Sequence, residues 1–372
     1  MDAEERKFRK LMSSTVPGGV HFVTGKNGSG KSRFFSLASK ECAHTLMNEQ
    51  SEGGRILCLS GTMHDKYAPS IYRAKSRSER VIYLGNKVNN NMISDVAPFR
   101  TLSTFLLRKL SAEDGLDSLS KKTASTALNK LKFQDRIGLK FRYSKGRKSD
   151  IADLVEPELF CSLTDIRLDN IEAIRGYITH LDAGDITLSD IKFIKEGETF
   201  GLADLSSGEK QYALSLLGMI YCGNPNCTVY FDEPENSLHP SWQMSIVKDL
   251  VEISDHLFPN STIIVATHSP LITSSVRGAK VFTCNFPAEQ LWGKSDLFGK
   301  PSDSVLRDQF NLYSSRSPEV YKCINRCLDL IARNQTTTLE FEEERDLLRS
   351  FDLQPNEDDP LHDVIQTILG IP

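Results

Sequence analysis

Short apolar runs separated by polar turns dominate the first two thirds of the chain. Val20, Phe22, Val23 and Thr24 form one; Ile56 to Leu59, Val81 to Leu84, Val229 to Phe231 and Ile263 to Ala266 form others. Each is too short for a helix and lacks polar alternation, which predicts strands buried on both faces, as in a parallel sheet. Residues 101 to 133 carry helical spacing, through Leu102, Phe105, Leu106 and Leu110 and then Leu128 and Leu131. Within them, 115 to 126 reads as a Ser/Lys-rich connector, and 160 to 183 reads as helix. Residues 137 to 150 alternate apolar and basic before becoming a basic loop, and ITLSDIKFIKEGETF reads as a two-stranded hairpin. Residues 303 to 333 are helical; NQTTT then interrupts the pattern. An acidic stretch follows, with an apolar seam at Leu339, Phe341, Leu347, Leu348, Phe351 and Leu353.

Composition adds limits. The 372 residues are 25% charged and 39% hydrophobic with a formal net charge of −4, an ordinary balance for a globular protein. No apolar run is long enough to cross a membrane and the first residues hold no apolar signal core, so a cytoplasmic location is expected. The eight cysteines include no C-x2-C pair. In that spacing they read as small buried hydrophobes rather than metal ligands.

The run GKNGSGKS, residues 25 to 32, sits between a strand pattern and a helix pattern. Gly25, Gly30, Lys31 and Ser32 fit G-x-x-x-x-G-K-[ST], a loop whose N–H groups turn inward around phosphate at a helix N-terminus. Asn27, Gly28, Ser29, Gly30, Lys31, Ser32 and Arg33 are therefore the candidate phosphate contacts. Lys31 would reach the outer phosphates, and Ser32 would bind Mg2+. Downstream, CTVYFDEPENSLHP ends an apolar strand in Asp232 and Glu233. Asp232 is placed to orient the metal and Glu233 to act as general base on water. STIIVATHSPLI ends another strand at His268, where α/β proteins put their ligands.

Between these motifs lies LADLSSGEKQYALSLLGMIY. Leu205, Ser206, Ser207, Gly208 and Glu209 resemble the LSxGE signature of ABC-type ATPases, and all four motifs stand in that family's order. DEPENSLHP and THSP resemble the SMC/RecF/OLD-like soluble branch. The resemblance implies an α/β P-loop NTPase of ABC-ATPase head type, with a mixed sheet core, an inserted helical lobe and a C-terminal helical tail. It implies an ATPase using ATP and Mg2+, with Glu233 and His268 catalytic. It also implies a head-to-tail homodimer in which Ser206, Ser207, Gly208 and Glu209 meet the partner copy's ATP, with 236 to 240 crossing the seam. The stretch between Ser32 and Leu205 is too short for a long coiled-coil arm. No TOPRIM-type carboxylate set follows His268, so no nuclease activity of its own is expected.

Short heads of this build resemble the PtuA-like ATPase subunits of the Septu and retron anti-phage systems, which work with a separate HNH nuclease. That resemblance implies an ATPase regulating a nuclease partner; the alternative is a RecF-like repair ATPase that clamps DNA. The expected division is a nucleotide-binding core over 1–84 and 201–295, a helical lobe with a hairpin over 85–200, and an acidic, partner-docking helical region over 296–372. Two departures from the family stand out. Only Lys7, Phe8 and Arg9 are available for an adenine contact, and no Gln occupies the Q-loop position, where Asn89, Asn90, Asn91 or Gln134 would substitute. Basic clusters at 73–80 and 140–148, the second with Phe141 and Tyr143 between its charges, are candidate nucleic-acid contacts.

Overall fold

The computed structural model describes residues 3–26, 28–48, 54–72, 79–112, 117–144, 156–164, 168–310, 316–353, 359 and 361–371. In chain order the strands are β1 (Val20–Thr24), β2 (Ile56–Ser60), β3 (Val81–Leu84), β4 (Lys87–Asn89), β5 (Met92–Ile93), β6 (Arg136–Tyr143), β7 (Glu158–Ser162), β8 (Ile186–Lys195), β9 (Glu198–Gly201), β10 (Thr228–Asp232), β11 (Thr262–Ala266), β12 (Val281–Asn285) and β13 (Gly293–Lys294). The helices are α1 (Ala3–Ser13), α2 (Lys31–Asn48), α3 (Pro69–Tyr72), α4 (Ala97–Leu110), α5 (Ser118–Lys130), α6 (Leu168–Asp182), α7 (Ser207–Cys222), α8 (Pro240–Leu257), α9 (Pro270–Thr273), α10 (Ser302–Phe310), α11 (Pro318–Ala332), α12 (Leu339–Ser350) and α13 (His362–Gly370).

The central sheet has the order β13-β12-β1-β11-β10-β2-β3. It is parallel except for β13, which pairs antiparallel with β12. All five apolar runs become strands of this sheet, and alternate residues divide between two cores. Phe22, Leu57, Leu59, Val229, Phe231, Ile263 and Val265 pack toward α4, α7 and α8. Val23, Ile56, Cys58, Tyr230, Ile264 and Ala266 pack toward Phe34, Phe35 and Ala38 of α2 and Leu11 of α1. Burial on both faces is why these strands read as continuous hydrophobic runs.

Residues 136–201 build a second, antiparallel sheet, β7-β6-β8-β9. Its buried residues Ile137, Leu139, Ile191 and Phe193 belong to the same core cluster as α4 and α7. The connector reading of 115 to 126 is corrected here. Asp117 caps α5 through Ser120, whose N–H and hydroxyl donate to its two carboxylate oxygens (2.8 and 2.7 Å), and Ala124, Ala127 and Leu128 form a buried stripe. Small residues with one leucine make a narrow apolar face that is easily read as loop. Residues 158 to 162 are strand, so the helix expected from 160 begins at Leu168.

The chain divides into two compact units, Met1–Lys300 and Pro301–Pro372. The second has its own core of Val320, Cys323, Ile324, Cys327, Leu330, Phe341, Leu348, Ile365 and Ile368. Seven of the eight cysteines are buried and all are free. Among the described residues no helix is long and apolar enough to cross a membrane.

One buried polar residue escaped notice in the sequence. His21, in β1, is fully buried, stacks on Phe282 and meets the edge of Trp292, and its Nε2 accepts from Val16 N–H (3.1 Å). Burial pushes its pKa down from 6.5 to about 4, against a smaller opposing backbone hydrogen bond. The unfolded chain therefore binds a proton that the folded chain refuses between these two values. Its stabilisation is complete above pH 6.5 and is lost as pH falls to about 4, a change of about 3 kcal/mol. His21→Gln keeps an acceptor but does not titrate. Urea unfolding of both proteins from pH 7.5 to 4 should show a stability difference that moves by that amount; parallel curves would refute it.

Candidate nucleotide site

Strand β1 delivers the chain into the loop at 25 to 30, and α2 begins at Lys31. Gly25, Gly28 and Gly30 have φ of 142°, 78° and 94°, which side chains rarely adopt. A Cβ on Gly25 would also sit 2.5 Å from the Phe286 carbonyl. The loop is thus a turn that opens onto the N-terminus of an 18-residue helix, where N–H groups and the helix dipole favour an anion. Lys31 is buried, and its Nζ donates to the Gly25 carbonyl (2.8 Å) and the Lys26 carbonyl (3.2 Å). Burial lowers its pKa, with Glu233, Glu235 and Asp232 opposing. Asn27 lies outside the described residues.

The neighbouring strands supply the carboxylates. Parallel register places Asp232 of β10 beside Ala266 of β11 and Ser60 of β2. Ser32 Oγ stands 3.4 Å from Asp232 Oδ1, while Asp232 Oδ2 is buried with no hydrogen-bond partner. Burial raises the Asp232 pKa to about 7, helped by Glu233 and Asp65 and opposed by Ser32. A hydroxyl and a buried carboxylate with one unmatched oxygen are hard oxygen donors, and they fit a magnesium ion. Glu233 follows in the left-handed region (φ 49°), its N–H bonded to the Ala266 carbonyl (2.9 Å) and its Oε2 accepting from Asn236 Nδ2 (2.9 Å). His268, at the end of β11, has its Nδ1 4.0 Å from Glu233 Oε1 and 3.0 Å from Glu235 Oε1. Lys31, Ser32, Asp232, Glu233 and His268 therefore lie at the C-terminal ends of β1, β10 and β11, three strands that are neighbours in the sheet.

The signature residues form a different surface. Ser206 caps α7: its hydroxyl accepts from Glu209 N–H (3.2 Å), and Glu209 Oε2 accepts from Ser206 N–H (3.0 Å), a capping box. Partial burial opposes ionisation of Glu209, but the Ser206 hydrogen bonds and Lys195 hold its pKa below the ordinary value. The Glu209 carboxylate thus serves its own helix end. Ser207 shares a cavity of about 130 Å3 with Gly61, Met63, Asn86, Asn236 and Ser237. Gly208 packs on the Ser237 carbonyl, 2.7 Å from where a Cβ would stand. The signature turn meets its own chain's 236–240 loop.

Several expected contacts fall elsewhere. Asn89 ends β4, in a two-stranded hairpin with β5, and Gln134 is bonded through its N–H to the Ile194 carbonyl of the second sheet (2.8 Å). The two strands beside β10 are β11 and β2, and Ser60 of β2 stands level with Asp232. The periodicity could not show which strand would be the neighbour. Lys7 Nζ reaches the Pro287 carbonyl (3.4 Å) and Arg9 pairs with Glu41 (2.8 Å), while the Phe8 side chain lies outside the described residues. Phe141 is buried against Tyr177 (ring centroids 5.0 Å), which removes it as a stacking surface for bases. Arg136, Lys140 and Arg142 of the same strand are exposed. Residues 73–78 and 145–148 of the basic clusters lie outside the described residues.

Three site residues were missed. Glu235 is buried beside His268. Asp65 is buried between the Tyr83 hydroxyl (2.6 Å) and Lys87 (3.4 Å). Gly61 donates its N–H to the Asp232 carbonyl (2.8 Å). The second glutamate of DEPE was the available signal for the first; the others carry no motif.

Comparison of the sequence with known proteins accords with this geometry. The family model described as "AAA domain, putative AbiEii toxin, Type IV TA system" matches residues 100–274, a span holding the signature turn, Asp232, Glu233 and His268. The chain is 26% identical to the "Retron Vc95 probable ATPase" of Vibrio cholerae serotype O1 biovar El Tor, over 59% of this chain and 45% of that protein. The match thus spans less than half the length of that relative. Among solved structures, UvrA2 from Deinococcus radiodurans aligns with 82% of this chain and 37% of its own, at 14% identity and a TM-score of 0.31. The parallel sheet, the phosphate loop and the two sequence similarities agree on a P-loop nucleotide-binding core similar to that of a probable ATPase.

Gly61 offers a direct check on this geometry. A Cβ there would stand 2.0 Å from the Glu233 carbonyl oxygen, backbone that cannot swing aside. Gly61→Ala should displace the Glu233 peptide and cost about 1–3 kcal/mol, read as a lower urea midpoint at unchanged slope. An unshifted midpoint would show that the two strand ends are not this close.

Proposed function

We propose that the chain binds ATP with magnesium, closes head to tail with a second copy, hydrolyses the nucleotide there, and regulates a partner nuclease in anti-phage defence. The observation that carries the enzymatic reading is the convergence of Lys31, Ser32, Asp232, Glu233 and His268 on neighbouring strand ends. Lys31 exchanges the Gly25 and Lys26 carbonyls for the outer phosphates. Ser32 and Asp232 hold the metal, which when bound neutralises phosphate charge. Glu233 accepts the proton of the attacking water, and Asn236 fixes its orientation.

The dimer reading rests on the signature turn. Its cap uses the N–H groups of Ser206 and Glu209; Ser207 stands exposed at the helix start, with the buried Gly208 behind it, and their N–H groups belong to the same helix end. A second copy's phosphate would complete them. The defence role rests on the similarity to a retron ATPase, and regulation of a nuclease extends that similarity. The exposed Arg136, Lys140 and Arg142 favour the DNA-clamp alternative, in which duplex binding would be ATP-dependent and would weaken steeply with salt.

Lys31→Ala should lose nucleotide affinity in calorimetry, and retained affinity would refute the loop assignment. Glu233→Gln should bind ATP normally, lower turnover by about 100-fold or more, and elute with ATP at twice the monomer mass. A monomeric, fully active Glu233→Gln protein would remove both the base and the dimer. Native mass spectrometry of the chain co-expressed with its neighbouring genes should detect a nuclease subunit. Its absence, with tight ATP-dependent duplex binding by the chain alone, would favour the clamp.

A further inference from the structure

Glu235 is the most constrained carboxylate of the site that no step above uses. It is 7% exposed, yet its Oε1 receives the Thr267 hydroxyl (2.8 Å) and the His268 backbone N–H (2.6 Å). The His268 Nδ1 lies 3.0 Å from the same oxygen, off the line a hydrogen bond needs. Glu235 Oε2 is buried and also without a hydrogen-bond partner. Nδ1 is unmatched and lies against a carboxylate whose second oxygen is also unmatched, so a small rotation of the imidazole would turn the 3.0 Å contact with Oε1 into a hydrogen bond. The outer part of His268 stays open, with its side chain 40% exposed.

We propose that Glu235 is a positioning residue for His268: its carboxylate accepts a hydrogen bond from Nδ1–H, fixes that tautomer and turns Nε2 outward toward the nucleotide. A carboxylate behind a histidine sets which nitrogen carries the proton and steadies the cation if the other nitrogen gains one. The surrounding hydrogen bonds give the pair a fixed seat. Ser269 N–H donates to Thr267 Oγ1 (3.0 Å), the Ser269 hydroxyl donates to Gln243 Oε1 (2.8 Å), and Gln243 Nε2 donates to the Leu238 carbonyl (3.0 Å). This chain runs from His268 to the loop at 236–240 that Gly208 packs against. The ring is thereby tied to the proposed seam between copies, so closing that seam acts on His268 through Glu235 rather than through the nucleotide alone. The inference deepens the ATPase reading and rests on it for the role of Nε2, but not for the tautomer.

The test therefore begins without nucleotide. Two-bond 1H–15N spectra of the full chain, with the His268 signals assigned by their loss in His268→Ala, should show Nδ1 protonated and Nε2 bare. Glu235→Gln keeps an acceptor for Thr267 and the His268 N–H but turns an amide NH2 toward the ring. It should move His268 to the Nε2–H form. With ATP, that variant should keep its affinity and lose about 100-fold in turnover, and the loss should disappear in a His268→Ala background. A wild-type Nε2–H tautomer, or one unmoved by Glu235→Gln, would overturn the proposal. So would a loss that persists in full without His268, which would make Glu235 a support of the fold only. A chain with the expected tautomers that never hydrolyses ATP would refute the ATPase reading and leave the Glu235–His268 pair established.

Discussion

The site is organised around one unfavourable act, the burial of the Asp232 carboxylate at the end of an apolar strand. An ionised carboxylate withdrawn from water is costly unless hydrogen bonds or a cation replace its hydration. Here a long contact from Ser32 reaches one oxygen and the other has none. Burial first, and then the negative charge of Glu233, Asp65 and Glu235 nearby, raises its pKa to about 7. Only a cation relieves such an arrangement fully. Lys31 is close enough to be influenced by Glu233, Glu235 and Asp232, but its ammonium bonds to loop carbonyls instead. The unmatched oxygen of Asp232 and the ammonium of Lys31 are the groups that the proposed metal and phosphates would engage.

That burial requires the backbone around it to be exact to a fraction of an ångström. Gly61 passes so close to the Glu233 carbonyl that no side chain fits, and Glu233 itself turns into the left-handed region. The turn lets residues 233, 235 and 236 diverge: Glu233 toward solvent, Glu235 back under His268, and Asn236 toward Glu233. Four side chains within residues 232–236 thus point in different directions because the strand ends abruptly rather than tapering into a loop. Backbone strain of this kind persists where the surrounding hydrogen bonds over-determine it, and the ladder bonds from Gly61 and Glu233 do so here.

Much of this was legible in the sequence, and the remainder shows where sequence logic stops. Strands buried on both faces announce themselves as apolar runs, so β1, β2, β3, β10 and β11 were found within a residue. The glycines and lysine of the phosphate loop and the Asp-Glu strand end follow local chemistry and were also visible. Strand order follows no local rule. It places β2 rather than β3 beside β10, with Ser60 level with Asp232, and no spacing in the sequence announces that. Alanine and serine in α5 gave too faint an apolar stripe to reveal a helix. His21 and Asp65 owe their burial to aromatic partners distant in the chain, and no spacing in the sequence encodes that.

The helix that follows the signature explains how a nucleotide site could move the rest of the unit. From Tyr212 to Cys222 every residue of α7 is buried, a helix apolar all round because it runs between the central sheet and the α4 and α5 helices. At its far end, Lys109 donates to the Ile220 carbonyl (2.7 Å) and Arg55 to the Cys222 carbonyl (2.8 Å), cations set where the helix dipole is negative. Both ends are therefore anchored, the first by its capping box and the loop at 236–240, the second by basic residues from β2's approach and α4. A close-packed element fixed at both ends shifts as a body or not at all. A displacement of the start of α7 would therefore be carried along the helix to α4 and, through the shared core, to the second sheet.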